Sequence, residues 1–176
     1  PKVMLLDEPL SNLDPKLRES MRFEIKELQR KFGFTIIFVT HDQSEAMAIS
    51  DRMMVCDMGN IMQVDTPTNL YNHPCNRFVH SFLGQSTFLH AVLEHGKAYA
   101  KGDMEHPLPV TAPEGVDREV VIATRPNAVD LNRDHGYETT IFSRIFLTDS
   151  TEYEVKIGNQ LLKIQTPHRL SLIHIS

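Results

Sequence analysis

Cysteine is scarce: Cys56 and Cys75 are the only two in 176 residues, too few and too isolated for a disulfide framework or a four-ligand zinc site. The expectation is a chain of a reducing compartment, inside the cell. Long hydrophobic runs are lacking too. Nothing approaches the roughly 18 consecutive apolar residues that a membrane-spanning helix needs, and no basic-then-apolar leader opens the chain. Lys and Arg form no cluster and the formal net charge is −5, which excludes the electrostatic footprint of a nucleic-acid binder. None of the eight glycines begins a Gly-Lys-Ser/Thr triplet. Gly96-Lys97-Ala98 comes nearest but has neither the hydroxyl nor the upstream Gly of a phosphate-cradling loop. The nine histidines form no HExxH pair, and His73 with Cys75 is too small a set for a metal.

What is present is an ordinary globular composition, 41% hydrophobic and 23% charged, enough for one good-sized domain or two small ones. Val3 to Leu6 and Thr35 to Thr40 are short apolar runs, the second rich in β-branched residues, as expected of strands buried on both faces of a parallel sheet. Between them Asp14-Pro15 predicts a helix start, the Asp capping free N–H groups and the Pro filling the first helical position. Leu17, Met21, Ile25, Leu28 and Phe32 mark one helical face, and Gly33 the stop. A short helix over Gln43 to Ile49 follows. A hairpin then pairs Arg52–Met58 with Ile61–Val64 through a turn at Gly59-Asn60. Thr66-Pro67 and Asn76 each open a short helical segment.

After Gly84 the texture changes to short strand candidates: Phe88–Leu93, Val120–Thr124, Thr139–Leu147, Glu152–Ile157 and Leu161–Gln165, the last two joined by Gly158-Asn159. These predict a small barrel or sandwich. The expected organisation is therefore an α/β domain over 1–84 and an all-β domain over 85–169. Both ends look unlike a natural protein. Pro1 is not an initiator, and 170–176 resembles a translation of the transposon end used in sequencing-library adaptors, so that segment is set aside and the chain is expected to be a fragment of a longer gene.

In an open parallel sheet, ligands sit beyond the carboxyl ends of the strands, so the residues just after each run matter most. These are Asp7 and Glu8 after the first and His41 after the second. A strand, crossover helix and return strand separate them, which brings all three side chains to one edge of the sheet, on strands about 4.8 Å apart if they are neighbours. Phosphoryl transfer needs a metal holder, a group that orients or deprotonates water, and a sensor of the terminal phosphate. Asp7 suits the first task, Glu8 the second and His41 the third. An isolated Asp-Glu pair after a strand is more often a solvated turn, and a lone His more often structural. The joint pattern Asp7-Glu8-Pro9, Ser11-Asn12-Leu13-Asp14 and Thr40-His41-Asp42 is harder to obtain by chance.

That pattern resembles the ATP-binding-cassette (ABC) ATPases: Val3 to Pro9 their extended Walker B, Ser11 to Asp14 their D-loop, and Thr40-His41-Asp42-Gln43 with Glu45-Ala46-Met47 and Ser50-Asp51-Arg52 their switch-histidine region. The fold implied is the C-terminal part of a P-loop NTPase parallel sheet with helices, followed by a small OB-like barrel. The resemblance implies ATP and Mg²⁺ as cofactors, Asp7 at Mg²⁺, Glu8 as catalytic base and His41 at the γ-phosphate. It also places Ser11 and Asp14 beside the nucleotide, Asp14 at the contact between two ATPase copies. Asn12 departs from the small residue usual there. A Leu-Ser-Gly-Gly-Gln signature is also missing and would lie before Pro1, so the chain alone is expected to bind ATP weakly and not to hydrolyse it.

Thr66-Pro67, Leu70-Tyr71, His73-Pro74, Arg77-Phe78-Val79 and Phe82-Leu83-Gly84 resemble the connector of importers of the polyamine, ferric-iron, sulfate, phosphonate and maltose group, with Asp65 where Gly is usual. Tyr71, Phe78, Phe82 and Phe88 are read as core residues of that connector rather than a ligand site. Thr124-Arg125-Pro126 and Phe146-Leu147-Thr148-Asp149 with Glu152-Tyr153 resemble the regulatory (TOBE) barrel of those importers, Asn127 and Thr148 replacing the commoner Glu and Gly. The partners implied are a second ATPase subunit, identical or different, the permease subunits and, indirectly, a substrate-binding protein, at the cytoplasmic face of the inner membrane and without nucleic acid. The cargo is not written in the sequence; polyamine or ferric iron is slightly preferred. The rivals are a ligand-sensing regulatory module, a non-transport ATPase of the same superfamily, and a truncated piece without independent function.

Overall fold

The computed structural model describes residues 2–113, 115, 117–131 and 136–168. Arg169 and the segment 170–176 set aside above lie outside the described residues. The chain is mixed α/β with small sheets, and it divides into two compact units, Pro1–Gly84 and Gln85–Ser176.

In the first unit, β1 (Val3–Asp7) and β2 (Thr35–Val39) pair in parallel, Val3 beside Thr35 and Asp7 beside Val39. The crossover between them is α1 (Pro15–Phe32). Asp14 caps it, its carboxylate accepting the N–H groups of Lys16 and Leu17 at 3.1 and 3.0 Å. Gly33 ends it in the left-handed region, φ 66°, donating its N–H to the Gln29 carbonyl. The start, the stop and the crossover thus follow from local residue chemistry.

Two expectations about burial fail here. Val3, Leu5, Ile37 and Val39 are exposed, so β1 and β2 are not covered on both faces; no layer of the described residues packs over that side. On α1 the apolar row is split. Met21 and Ile25 are half-buried, but Leu17, Leu28 and Phe32 are exposed, and the packed face runs instead through Arg18, Met21, Arg22, Ile25, Lys26 and Gln29. Helix α2 (Gln43–Ile49) lies against that face, and its acidic N-terminus draws the two arginines inward.

The strands β3 (Met53–Asp57) and β4 (Asn60–Asp65) form the antiparallel hairpin. Its turn is Met58-Gly59, one residue earlier than the sequence predicts, with Asp57 and Asn60 as the closing pair. Both turn residues take positive φ, 47° and 80°, the twist that a two-residue hairpin loop requires. The helices α3 (Pro67–Asn72) and α4 (Arg77–Phe82) follow, capped by Thr66 and Asn76. Met53, Val55, Leu70, Val79 and Leu83 make the core of this unit. Leu70 and Val79 have no exposed surface, and each contributes about 1.5–3 kcal/mol relative to an exposed position.

The described residues of the second unit form two three-stranded antiparallel sheets. One has the order β6 (Lys97–Ala100), β5 (Thr87–Glu94), β7 (Arg118–Thr124). The other has the order β10 (Gln160–Pro167), β9 (Ser150–Ile157), β8 (Ile141–Phe146). Alternate residues of both sheets, Leu89, Ala91, Leu93, Val155, Ile157, Leu162 and Ile164, meet in one core. The Gln160 side chain joins the sheets by accepting the His90 N–H at 2.7 Å and donating to the His90 carbonyl at 2.9 Å. Strand β6 has no counterpart among the sequence-predicted strands. Gly96 does not begin a phosphate loop; with His95 it makes the tight turn from β5 to β6, φ 51° and 74°.

Candidate active site

The carboxyl ends of β1 and β2 are adjacent because the strands are parallel and in register, and the chain turns sharply after each. Glu8 makes the first turn at φ 44°, a left-handed conformation that is costly for a side chain of this length. Three backbone contacts hold it there. Its N–H donates to the Val39 carbonyl at 2.9 Å, and its own carbonyl accepts the Ser11 N–H at 3.3 Å and the Ser11 hydroxyl at 3.0 Å. Leu10, 2% exposed, anchors the segment beneath.

Held in this way, Glu8 meets His41. Glu8 Oε1 lies 2.9 Å from His41 Nδ1, across 33 residues of sequence. With the carboxylate ionised, Nδ1 carries the proton and donates it. That hydrogen bond, and then the charge of Glu8, raise the His41 pKa above its ordinary 6.5; Asp42 and Glu45 act in the same direction and the slight desolvation opposes them. Both side chains stay open to solvent, His41 at 76% and Glu8 at 45%.

The other residues marked in the sequence take different places. Asp7 closes β1 beside Val39 and is exposed. Ser11 turns its hydroxyl back onto Glu8, and the carboxylate of Asp14 is occupied with the first turn of α1. Sequence reasoning missed a charged cluster alongside. Arg18 Nη1 is 3.4 Å and Arg22 Nη2 3.6 Å from Asp42 Oδ2, while Arg18 Nε is 3.5 Å from Oε1 of the buried Glu45. Glu45 Oε2 accepts the Thr40 hydroxyl at 2.8 Å. The signal was the four-residue spacing of Arg18 and Arg22, which places both on one helical face opposite Asp42 and Glu45.

No family model matches the chain. Individual proteins do. The chain is 40% identical, over 97% of its length and 48% of the relative's, to the spermidine/putrescine import ATP-binding protein PotA of Pseudomonas fluorescens. It is 45% identical to the Fe(3+) ions import ATP-binding protein FbpC of Escherichia coli, over 79% of this chain and 39% of that protein, and 39% identical to FbpC of Brucella suis, over 95% and 48%. These homologues are ATP-binding subunits of ATP-binding-cassette importers, and the chain is similar to them along nearly all of its length. It spans about half the length of the curated relatives it matches.

Given that similarity, the donor set can be tested against Mg²⁺ and ATP. The described residues contain no group of three His, Cys, Asp or Glu side chains that could hold a metal ion, so there is no all-protein cage. Mg²⁺ rarely needs one: it is typically held by one or two carboxylates together with water and substrate phosphates, and the exposed Asp7 at the end of β1 is a donor of that kind. Asp7 therefore fits the ion. The phosphates find no Gly-Lys-Ser/Thr loop in this chain.

Proposed function

We propose that this chain is part of the ATP-hydrolysing subunit of an importer, with 1–84 the C-terminal half of its nucleotide-binding domain plus connector and 85–169 a regulatory OB-like barrel. The reading rests above all on the 2.9 Å contact between Glu8 and His41 at the carboxyl ends of two paired parallel strands. Glu8, with one carboxylate oxygen engaged by His41, keeps the second as acceptor for the proton of an attacking water. His41, its Nδ1–H given to Glu8, donates from Nε2 to a terminal phosphate oxygen when the ring is protonated, and the raised pKa enlarges that protonated fraction. Asp7 would hold Mg²⁺, which when bound neutralises phosphate charge. Ser11 fixes the Glu8 turn, and Asp14, besides capping α1, would face a second ATPase copy.

The cleft of about 680 Å³ between β2 and β3, lined by Thr35–Thr40 and Met53–Cys56, and the exposed faces of β1 and β2 are consistent with a nucleotide-binding domain of which this chain is a portion. The described residues contain no helix long and apolar enough to cross a membrane, so attachment to the cytoplasmic face would come through permease subunits, with a substrate-binding protein supplying cargo. The printed names of the relatives favour a polyamine or Fe(3+) as that cargo. Turnover by the intact subunit is the direct test. Glu8→Gln should lower ATP hydrolysis by about 10²-fold or more while nucleotide binding persists. Rapid turnover in that variant would remove Glu8 from the role of base. The 176-residue chain by itself should show no turnover above background.

A further inference from the structure

We propose that Arg18 is a positioning residue that locks the Ser11–Asp14 turn to the His41 loop, so that the two sides of the site move as one body; its meaning for catalysis rests on the ATPase reading above. The guanidinium reaches three groups on two segments. Nη2 donates to the Leu13 carbonyl at 3.2 Å, inside the turn that begins at Glu8. Nη1 donates to Asp42 Oδ2 at 3.4 Å, and Nε stands 3.5 Å from Glu45 Oε1.

The last two contacts lie just after His41, and Glu45 reaches back to the residue before it. Glu45 is 2% exposed, and a buried carboxyl group is costly unless it is paired or hydrogen-bonded. It meets that need with Arg18 and with the hydroxyl of Thr40, the residue before His41. Thr40 Oγ1 in turn accepts the Asp42 N–H at 3.0 Å, and Asp42 Oδ1 accepts the Glu45 N–H at 3.0 Å. Both neighbours of His41 are thus tied to a network that ends on Arg18. His41 itself is too exposed for packing to hold it. A planar guanidinium can donate to a carbonyl and one carboxylate while its charge faces a second; a lysine ammonium is a single point charge and cannot span them.

The test measures whether a change on one loop is felt on the other. Asp42→Asn keeps the cap of α2 and removes the charge facing Arg18. In the 176-residue chain this substitution should shift the amide resonances of Ser11, Asn12, Leu13 and Asp14, and the shift should largely vanish when Arg18→Lys is already present. Equal shifts in both backgrounds overturn the proposal. Should Arg18→Lys disorder α1, the nearly isosteric Glu45→Gln asks the same question. It must also move the Ser11–Asp14 resonances, and their indifference overturns the proposal.

In the intact subunit, Arg18→Lys should lower kcat on the order of 10-fold with little change in the KM for ATP. A rise in KM at unchanged kcat counts against positioning. The resonance experiment needs no nucleotide, so its failure removes the coupling and leaves the ATPase reading standing. An intact wild-type subunit without turnover removes that reading and leaves the resonance result in place.

Discussion

Glu8 pairs an uncommon backbone conformation with an exposed acidic side chain, and the chain devotes three hydrogen bonds from Val39 and Ser11 to keeping it so. The benefit is aim: the φ of 44° turns the chain where Glu8 contacts His41. By nuclear magnetic resonance, His41 should titrate above 6.5, and Glu8→Gln should bring it back towards that value. A folded pKa above the unfolded one means that the pair's stabilisation is fully present below pH 6.5 and is lost as pH rises through the folded value. An unshifted His41 would sever the two side chains in solution. Asp103, in the second unit, shows the opposite case. The hydroxyl of Tyr137, with help from the Glu105 and His106 N–H groups and the His106 ring, holds its carboxyl at about 2, so its contribution is present above the unfolded value and is lost as pH falls through about 2.

At the scale of elements, caps and turns were the legible part. Asp14-Pro15, Gly33, Thr66-Pro67 and Asn76 each delimit a helix through hydrogen bonds a few residues long, so neighbours in sequence decide them. The α1 face was less legible, because Arg18 and Arg22 pack on α2 for their charge while Leu17, Leu28 and Phe32 stay exposed. Strand β6 escaped because four residues carry too little alternation to stand out. The hairpin glycines make a quantitative contrast. Gly158 lies at φ 58° and a Cβ there would sit 2.5 Å from the Lys101 carbonyl oxygen, whereas Gly59, at φ 80°, faces open space. Gly158→Ala should therefore cost about 1–3 kcal/mol in urea unfolding, and clearly more than Gly59→Ala. Equal costs would mean that the Lys101 contact yields freely.

At the scale of the whole molecule, apolar side chains remain uncovered on the first unit: Val3, Leu5, Ile37 and Val39 on the sheet, and Leu17, Phe23, Leu28 and Phe32 on α1. Surfaces of that kind are uncommon on isolated soluble domains. The chain should bind an apolar dye such as ANS, and Leu5→Gln with Ile37→Gln should weaken the signal without loss of secondary structure; undiminished binding would place the dye elsewhere. The sequence by itself determined the strand–helix–strand order, the helix ends, the Gly158-Asn159 turn and the likeness to importer ATP-binding proteins, since all of these are written in short stretches of neighbouring residues. Only the tertiary structure decided that Glu8 meets His41, that Arg18 joins Leu13, Asp42 and Glu45, and that β1 and β2 stand open. Glu8 and His41 lie 33 residues apart, and Arg18 and Asp42 lie 24 apart. Contacts at such separations depend on which surfaces packing brings face to face, and residue spacing alone does not fix that.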